Sequence, residues 1–209
     1  MTSSESLPSL GAVILAGGKA TRFSGKCFAP LNGKELILHV FERTSTVASK
    51  IVLVGKSAQD ISLLRELLPD AEIVRDESPE QNPLVGLLSG LHAIQNLYVF
   101  VAACDTPFLE PRIIRSLASA AIGRDGAVPY SNGEFEPLCA VYNRASTIQS
   151  ATECLRSSNP SMNSMLRGLK DLVRIDKEDL RRYDPHLLSF FNINTQADLT
   201  TASETKTTP

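Results

Sequence analysis

The sequence predicts an α/β fold, a three-layer α/β/α sandwich with a mostly parallel central sheet. Short apolar runs alternate along the chain with segments whose apolar residues have helical spacing. The runs IVLV and LYVFVAA are apolar throughout, as expected of strands that are covered on both faces. The 209 residues, 43% hydrophobic and 21% charged, fit one globular domain, which we place at residues 10–201. The polar ends, residues 1–9 and 202–209, are predicted to be disordered tails.

Each predicted element rests on a local pattern. The predicted strands are short apolar runs, several of them rich in β-branched residues, at 11–16, 51–55, 71–74, 97–103, 126–130, 137–142, 172–175 and 190–193. The predicted helices have apolar residues at helical spacing and often begin or end beside a proline; they lie at 35–49, 61–68, 83–94, 113–121, 148–156 and 162–169, with a last one after Thr195. The sequence Asn132-Gly133 predicts a tight turn between two of the later strands.

Composition excludes several functional classes. The formal net charge of −2 gives no reason to expect binding to nucleic acid or to an anionic membrane. No apolar run approaches the roughly 18 residues of a membrane-spanning helix, and the N-terminal sequence lacks the pattern of a secretory signal. The four cysteines have neither C-x-x-C nor zinc-site spacing. We therefore expect reduced thiols in a cytoplasmic protein.

The sequence LAGGKATRFSGK follows the first predicted strand and points to polyphosphate binding. Ligands of open α/β sheets bind at the carboxyl ends of the strands, where Gly17 and Gly18 would let backbone N–H groups approach an anion. Arg22 and Lys26 add positive charge at the same place. The spacing matches neither the P-loop nor the dinucleotide-binding fingerprint. Two glycines alone also fit a simple turn with a solvated basic loop.

Three further segments place polar residues at or near the same edge of the sheet. Asp105 in CDTPFL directly follows the most apolar strand, where one carboxylate would hold Mg²⁺ that bridges phosphates, although it could instead cap a helix. Asp76 ends the third strand, and the helix of NPLVGLLSGL would open its N-terminus there, near Gly86. In FFNINT, Asn192 and Asn194 are predicted to alternate across a short strand.

In this order, these segments resemble molybdenum cofactor guanylyltransferases. The resemblance rests on LAGGKATR, PLNGKELILHV, RDE with NPLVGLLSGL, CDTPFL, EPLCAVYN and NINTQADL, and it extends from about residue 11 to residue 199. It implies the glycosyltransferase-A-like fold of the nucleotide-diphospho-sugar transferases. It also implies transfer of GMP from Mg-GTP to molybdopterin that carries molybdenum, with release of pyrophosphate.

Together with the patterns above, the resemblance implies roles for individual residues. Arg22, Lys26 and Asp105 are expected to act in catalysis, with Mg²⁺ as the cofactor on Asp105, and Asn192 and Asn194 are expected near the acceptor. The expected nucleotide-binding residues are Leu15, Ala16, Gly17, Gly18, Lys26, Asp76, Gly86 and Asp105. The implied partners are GTP and molybdopterin, with transient contacts to a molybdenum-insertion protein and to acceptor reductases.

Some departures from the family pattern keep other functions open. The segment RFSGK is one residue shorter than the common pattern and lacks its aspartate, and no cation stands near Ser161 where the pterin phosphate would be met. No nucleoside contact is assigned to Val54 and Gly55. The alternatives are a CTP-dependent molybdopterin cytidylyltransferase, a sugar-phosphate nucleotidyltransferase and a non-catalytic binding domain. Gly17 lacks the methyl group of the alanine that the cytidylyltransferases usually carry, which favours the larger base of GTP.

Overall fold

The computed structural model describes residues 9–17, 25–76 and 82–205. Within them the strands are β1 (Leu10–Leu15), β2 (Pro30–Leu31), β3 (Lys34–Glu35), β4 (Lys50–Gly55), β5 (Glu72–Arg75), β6 (Tyr98–Ala103), β7 (Gly126–Ser131), β8 (Glu134–Phe135), β9 (Cys139–Asn143) and β10 (Leu172–Asp176). The helices are α1 (Leu36–Ser45), α2 (Ala58–Leu67), α3 (Pro83–Ala93), α4 (Pro111–Ala121), α5 (Arg144–Leu155), α6 (Met162–Gly168), α7 (Lys177–Leu180) and α8 (Gln196–Glu204).

The central sheet has the strand order β10-β7-β9-β6-β1-β4-β5, with β8 paired to β7. The neighbours β6-β1-β4-β5 are all parallel, whereas β9 runs antiparallel to both β6 and β7. The mixed, mostly parallel sheet confirms the predicted α/β class. Because β6, β1, β4 and β5 are parallel, their carboxyl ends meet at one edge.

Helices cover both faces of the sheet, which explains the continuous apolar strands. In β1, Ala12 and Ile14 point into one core cluster and Val13 and Leu15 into the other, and none is more than 6% exposed. The first cluster packs against α1, α2 and α4, and the second against α3, α5 and α6. Successive side chains of a strand face opposite ways, so burial of both faces makes every position apolar.

The Asn-Gly turn predicted from the sequence is present between β7 and β8. Asn132 has φ +51° and Gly133 has φ +88°, and they connect the paired residues Ser131 and Glu134. Two consecutive residues with positive φ are typical of the tight turn that matches strand twist.

The C-terminal segment differs from the prediction in two ways. The predicted strand at 190–193 is wrong: a 3-10 turn covers Leu188–Phe190, and the segment then runs extended with one backbone bond to its neighbour, from Ile193 N to Asp105 O at 3.0 Å. Helix α8 continues to Glu204, beyond the domain end placed at residue 201, because buried Ala202 packs into a third apolar cluster. The β2–β3 hairpin, β8 and α7 were not predicted, since they are two to four residues long.

The third cluster fixes the C-terminal segment over the β2–β3 hairpin. Its buried members are Ala29, Leu31, Leu36, Phe108, Ile193, Leu199 and Ala202. Through Ile193 this cluster places the adjacent Asn194 beside the carboxyl end of β6. In the described part of the chain, no helix has the length and apolar character needed to cross a membrane.

Candidate active site

A cavity of about 350 Å³ lies along the carboxyl ends of β6, β1, β4 and β5. This size falls in the range of small-molecule sites. Its lining residues come from the strand ends, from the 3-10 turn at Lys26, from the start of α3 and from the segment before β9: Leu15, Gly17, Lys26, Val54, Gly55, Lys56, Asp76, Asn82, Pro83, Gly86, Ala103, Cys104, Asp105 and Leu138. The edge predicted from the sequence is therefore where the cavity forms.

Backbone hydrogen bonds extend the sheet by one residue past the strand ends and so fix the two carboxylates. Cys104 N donates to Leu15 O at 3.1 Å, which holds the chain entering Asp105. Asp76 N donates to Gly55 O at 2.8 Å. The backbones that carry the Asp76 and Asp105 carboxylates are thus fixed at the edge of the sheet, and both residues are only 7% exposed.

Lys26 and Asp105 form an ion pair at one end of the cavity. Lys26 opens a 3-10 turn that is entered through Gly25, whose φ of +69° is costly for other residues. Its Nζ donates to Asp105 Oδ2 and, at 3.1 Å, to Asn194 Oδ1. Three segments distant in sequence therefore meet at one cation.

The second carboxylate oxygen of Asp105 suits a bound cation. Among the described residues, Oδ1 of Asp105 is buried and accepts no hydrogen bond. A buried charged oxygen without a partner is costly, and a cation coordinated there would satisfy it. The described residues contain no cluster of three or more His, Cys, Asp or Glu side chains that would form an all-protein metal site. Mg²⁺ commonly uses one or two carboxylates and takes its other ligands from phosphates and water, so Asp105 fits that ion.

A disulfide joins the residues next to this ion pair, contrary to the expectation of reduced thiols. Cys27 and Cys104 are bridged, with their Cα atoms 5.4 Å apart, whereas Cys139 and Cys154 are free and buried. The spacing of 77 residues gave no sign of this pairing in the sequence, because the fold alone brings the Lys26 turn to the end of β6. The bridge ties the Lys26 turn to the strand that presents Asp105.

A second ion pair, Lys56–Asp76, lies at the other end of the cavity. Lys56 directly follows β4, and its Nζ is 3.8 Å from Oδ2 of Asp76. Both side chains are largely buried, at 25% and 8% exposed. The start of α3 lies beside them, where Asn82 Oδ1 accepts from Leu84 N at 3.0 Å and caps the helix. Pro83 has no N–H, and Val85 N donates to Asn82 O at 3.1 Å, so Asn82 satisfies the first turn of α3 at the cavity edge.

The structure brings together most of the site residues that the sequence predicts. Leu15, Gly17, Lys26, Asp76, Gly86 and Asp105 all line the cavity. Ala16 does not line the cavity; it lies just after β1, where its N–H donates to Val54 O at 2.8 Å. Gly18 and Arg22 lie outside the described residues.

The two asparagines near the C-terminus differ in their contacts. Asn194 reaches the site through Lys26, whereas Asn192 Nδ2 donates to Phe190 O at 3.2 Å and its side chain is exposed. Neither residue lines the cavity. Because no ladder of backbone bonds forms here, the predicted alternation across a strand does not describe this segment.

Several lining residues were missed by sequence reasoning. Val54 and Gly55, to which no nucleoside contact was assigned, line the cavity, as do Lys56 and Asn82. Lys56 had a usable signal, since it is the first residue after an apolar strand at the predicted edge. Leu138 had none, because its position depends on β9 running antiparallel beside β6.

Asp198 stabilises the segment that carries Asn194. Its carboxylate accepts from Asn194 N at 2.9 Å and from Thr195 N at 2.8 Å, and Thr195 in turn caps α8. The hydrogen bond from the Asn194 backbone, followed by that from Thr195, holds the pKa of Asp198 below its ordinary value. The ionised carboxylate is thus part of what orders this segment.

The sequence is similar to proteins that transfer nucleotides. Residues 12–174 match the MobA-like NTP transferase domain family. A molybdenum cofactor guanylyltransferase from Desulfosudis oleivorans is 33% identical over 190 residues, which is 90% of this chain and 91% of that protein. A probable molybdenum cofactor guanylyltransferase from Methanosarcina acetivorans is 31% identical, over 91% of this chain and 88% of that protein.

Solved structures share the fold. The molybdopterin-guanine dinucleotide biosynthesis protein A of Archaeoglobus fulgidus superposes with a TM-score of 0.79 at 28% identity, covering 93% of this chain and 97% of its own. The 4-diphosphocytidyl-2C-methyl-D-erythritol synthase of Anaerococcus prevotii has a TM-score of 0.72 at 13% identity, covering 94% and 95%. The second likeness concerns the fold alone.

Proposed function

The chain belongs to the family of MobA-like NTP transferase domains, and we propose that it transfers GMP from Mg-GTP to molybdopterin that carries molybdenum. It is a nucleotidyltransferase of molybdenum cofactor biosynthesis, as its relatives named molybdenum cofactor guanylyltransferase indicate. The products are the guanine dinucleotide form of the cofactor and pyrophosphate.

One observation carries the proposal. At the end of β6, Asp105 presents a buried carboxylate with one oxygen on Lys26 and the other without a partner among the described residues. A metal-triphosphate needs both a carboxylate for its cation and a cation for its phosphates at one place. The Lys26–Asp105 pair supplies both.

In the proposed reaction, a phosphate of the acceptor attacks the α-phosphorus of GTP in line and pyrophosphate leaves. The protein contributes position and charge and makes no covalent bond. Lys26 neutralises the charge on the phosphates, and Arg22 is proposed to share this role on the leaving pyrophosphate. Gly17 leaves its backbone open to the phosphates, and Leu15, Ala16, Gly18, Asp76 and Gly86 are proposed to hold the nucleoside.

Asp105 would hold Mg²⁺, whose charge offsets the negative charge that develops on the phosphate oxygens. The contact between Lys26 and Asn194 then places an amide beside the phosphates. We propose that Asn194, and Asn192 next to it, face the acceptor. Because Asp198 binds the backbone N–H of Asn194, it keeps this side of the site in position.

The proposed substrates imply a setting and partners. GTP and molybdopterin are the small-molecule substrates, and we place the reaction in the cytoplasm. Transient contacts with a molybdenum-insertion protein and with acceptor reductases would deliver and receive the cofactor. In a reducing compartment the Cys27–Cys104 bridge would open, and the Lys26–Asp105 pair would remain, since it does not depend on the bond.

The test is calorimetric binding of GTP, CTP, ATP and UTP with Mg²⁺, followed by turnover with molybdopterin. Wild type is expected to prefer GTP, and Asp105→Ala is expected to lose Mg²⁺-dependent binding. Asp171→Ala is the matched control, because Asp171, the residue before β10, forms an exposed ion pair with Arg124 at 2.9 Å. Equal binding by wild type and Asp105→Ala, or a preference for another triphosphate, would reject the proposal.

A second candidate is a nucleotidyltransferase with another phosphorylated acceptor, such as a sugar phosphate, or a CTP-dependent molybdopterin cytidylyltransferase. The segment before α6 favours it, because residues 157–161 include no cationic side chain and the Ser161 hydroxyl accepts from Ser164 N at 3.1 Å. The nearby guanidinium group of Arg167 is used within α6, where it donates to Ser164 Oγ at 2.9 Å. A binding preference for CTP, or turnover with a sugar phosphate and not with molybdopterin, would select this candidate.

A further inference from the structure

Two lysine–carboxylate pairs stand at opposite ends of the cavity. Lys26–Asp105 lies at the end of β6, and Lys56–Asp76 lies across the ends of β4 and β5. The strands that precede the two carboxylates, β6 and β5, are three strand spacings apart, which is about 14 Å. The two pairs therefore meet different parts of one ligand. If Lys26–Asp105 meets the triphosphate, Lys56–Asp76 is at the end where the base lies.

Lys56 lies close against Gly17. A Cβ added to Gly17 would lie 2.9 Å from Cβ of Lys56, closer than two such atoms approach. Glycine at position 17 therefore leaves room for the Lys56 side chain, and not for a larger base as the sequence suggested. The Nζ of Lys56 lies 3.8 Å from Oδ2 of Asp76, whose backbone N–H donates to Gly55 O at 2.8 Å.

The chemistry of this pair matches the edge of guanine. Guanine presents the acceptor O6 beside two adjacent donors, N1–H and the N2 amino group. Adenine, cytosine and uracil do not place two adjacent donors beside an acceptor. An ionised carboxylate is acceptor-only with two oxygens, and an ammonium group is donor-only. A carboxylate and an ammonium group 3.8 Å apart thus offer the complement of the guanine edge.

We propose that Lys56 is a specificity-determining residue that donates to O6 of guanine while Asp76 accepts from N1–H and N2–H. This inference rests on the proposed function, because it needs GTP in the cavity. The inference adds to the proposed function a side chain, Lys56, that recognises guanine through O6. Burial strengthens the effect, since a base without O6 would leave a largely desolvated ammonium group without that acceptor.

The experiment compares GTP with 6-thio-GTP and ITP, each with Mg²⁺, by calorimetry on wild type and Lys56→Met. In 6-thio-GTP sulfur, a weak acceptor, replaces O6 and both donors remain; in ITP only the amino group is missing. Wild type is expected to bind GTP at least tenfold more tightly than 6-thio-GTP. Lys56→Met is expected to weaken GTP binding about tenfold or more and to bring the GTP to 6-thio-GTP ratio near one. The GTP to ITP ratio is expected to stay as in wild type.

Lys50→Met is the matched control. Lys50 stands at the other end of the same strand and pairs with Glu72 on β5 at 2.5 Å, with its side chain 50% exposed. Lys50→Met removes the same charge from the same pair of strands but far from the cavity. Its affinities for GTP, 6-thio-GTP and ITP are therefore expected to match those of wild type. Binding of 6-thio-GTP by Lys56→Met also shows that this variant is folded.

The outcomes separate this inference from the proposed function. If wild type prefers GTP and Lys56→Met keeps the wild-type GTP to 6-thio-GTP ratio, the role of Lys56 is rejected while the proposed function stands. If wild type does not prefer GTP among the four triphosphates, the proposed function fails and this inference fails with it. A change in the ITP ratio without a change in the 6-thio-GTP ratio would also reject the contact to O6.

Discussion

Two glycines of α3, one turn apart, should respond oppositely to alanine. A Cβ at Gly86 would meet Leu15, Val54 and Asp76 at 3.6, 3.6 and 3.8 Å, which is ordinary contact. A Cβ at Gly90 would lie 2.4 Å from Cγ1 of Val13. Position 86 therefore has space for a methyl group, and position 90 does not.

The expected changes in stability follow from helix propensity and from the steric overlap of the added methyl group. Alanine stabilises a helix interior by about 0.5–1 kcal/mol over glycine, and at Gly86 this gain stands alone. At Gly90 it is offset by an overpacking cost of about 1–3 kcal/mol, because buried Val13 is β-branched and has little freedom to turn away. We expect Gly86→Ala to be the more stable variant by about 2 kcal/mol, which is a Tm difference of about 4–8 °C at this chain length.

The assay is thermal unfolding of both variants and wild type, with GTP titrations on each. Gly86 lines the cavity near Asp76, so its added methyl group is expected to weaken GTP binding about tenfold, a change of 1.4 kcal/mol. Gly90 does not line it, so Gly90→Ala is expected to bind as wild type does. If Gly90→Ala melted at or above Gly86→Ala, the close packing of α3 on β1 would be refuted. Unchanged GTP affinity in Gly86→Ala would place the nucleoside elsewhere.

Three other predictions concern the opposite end of the cavity. Asp105→Asn is expected to lower turnover at least a hundredfold while unfolding near the wild-type Tm; near-normal turnover at limiting Mg²⁺ would remove its role. The hydrogen bond from Asn194 N lowers the folded-state pKa of Asp198, so the ionised carboxylate stabilises the fold above about pH 4. This stabilisation is lost as the pH falls through the folded-state pKa. Asp198→Asn should therefore be less stable than wild type at pH 7 but not in acid. Urea unfolding of both proteins at pH 7 and in acid measures their free energies of unfolding, and the same difference between the proteins under both conditions would contradict this prediction. Thiol titration of denatured, unreduced protein should count two thiols, and a count of four would show that the bridge is absent. Replacing Cys27 and Cys104 by alanine should lower the free energy of unfolding by about 2–4 kcal/mol, because the bridge closes a long loop.

The fold was predictable where one local pattern dominated. Both-face burial makes β1, β4 and β6 continuous apolar runs, and proline marks the start of α3 and α4. The same pattern misled at residues 190–193, where Phe190 is partly buried against the first cluster and Ile193 is buried in the third, although neither residue belongs to a strand. The very short elements lacked any periodicity to detect.

The site was predictable where a site residue comes just after the end of a strand. Asp76 and Asp105 are the first carboxylates after apolar strands, and parallel strands bring their ends together. The contact from Lys26 to Asn194 spans 168 residues and depends on the C-terminal cluster, so no local pattern encodes it. The Cys27–Cys104 bridge is hidden for the same reason.

Strand order also gives the cavity a direction. The strand order β6-β1-β4-β5 places Asp105 first, Gly17 next, and Lys56 with Asp76 last. A triphosphate held at Asp105 and a base held at Asp76 leave the α-phosphorus nearer the Asp105 end. Leu138 lies just before β9, the strand beyond β6, and Asn194 lies on the C-terminal segment beside Lys26, so we expect the acceptor to enter from that side. Substitution of Leu138 by a larger side chain should then raise KM for the acceptor and leave GTP affinity unchanged; the reverse result would invert the proposed orientation.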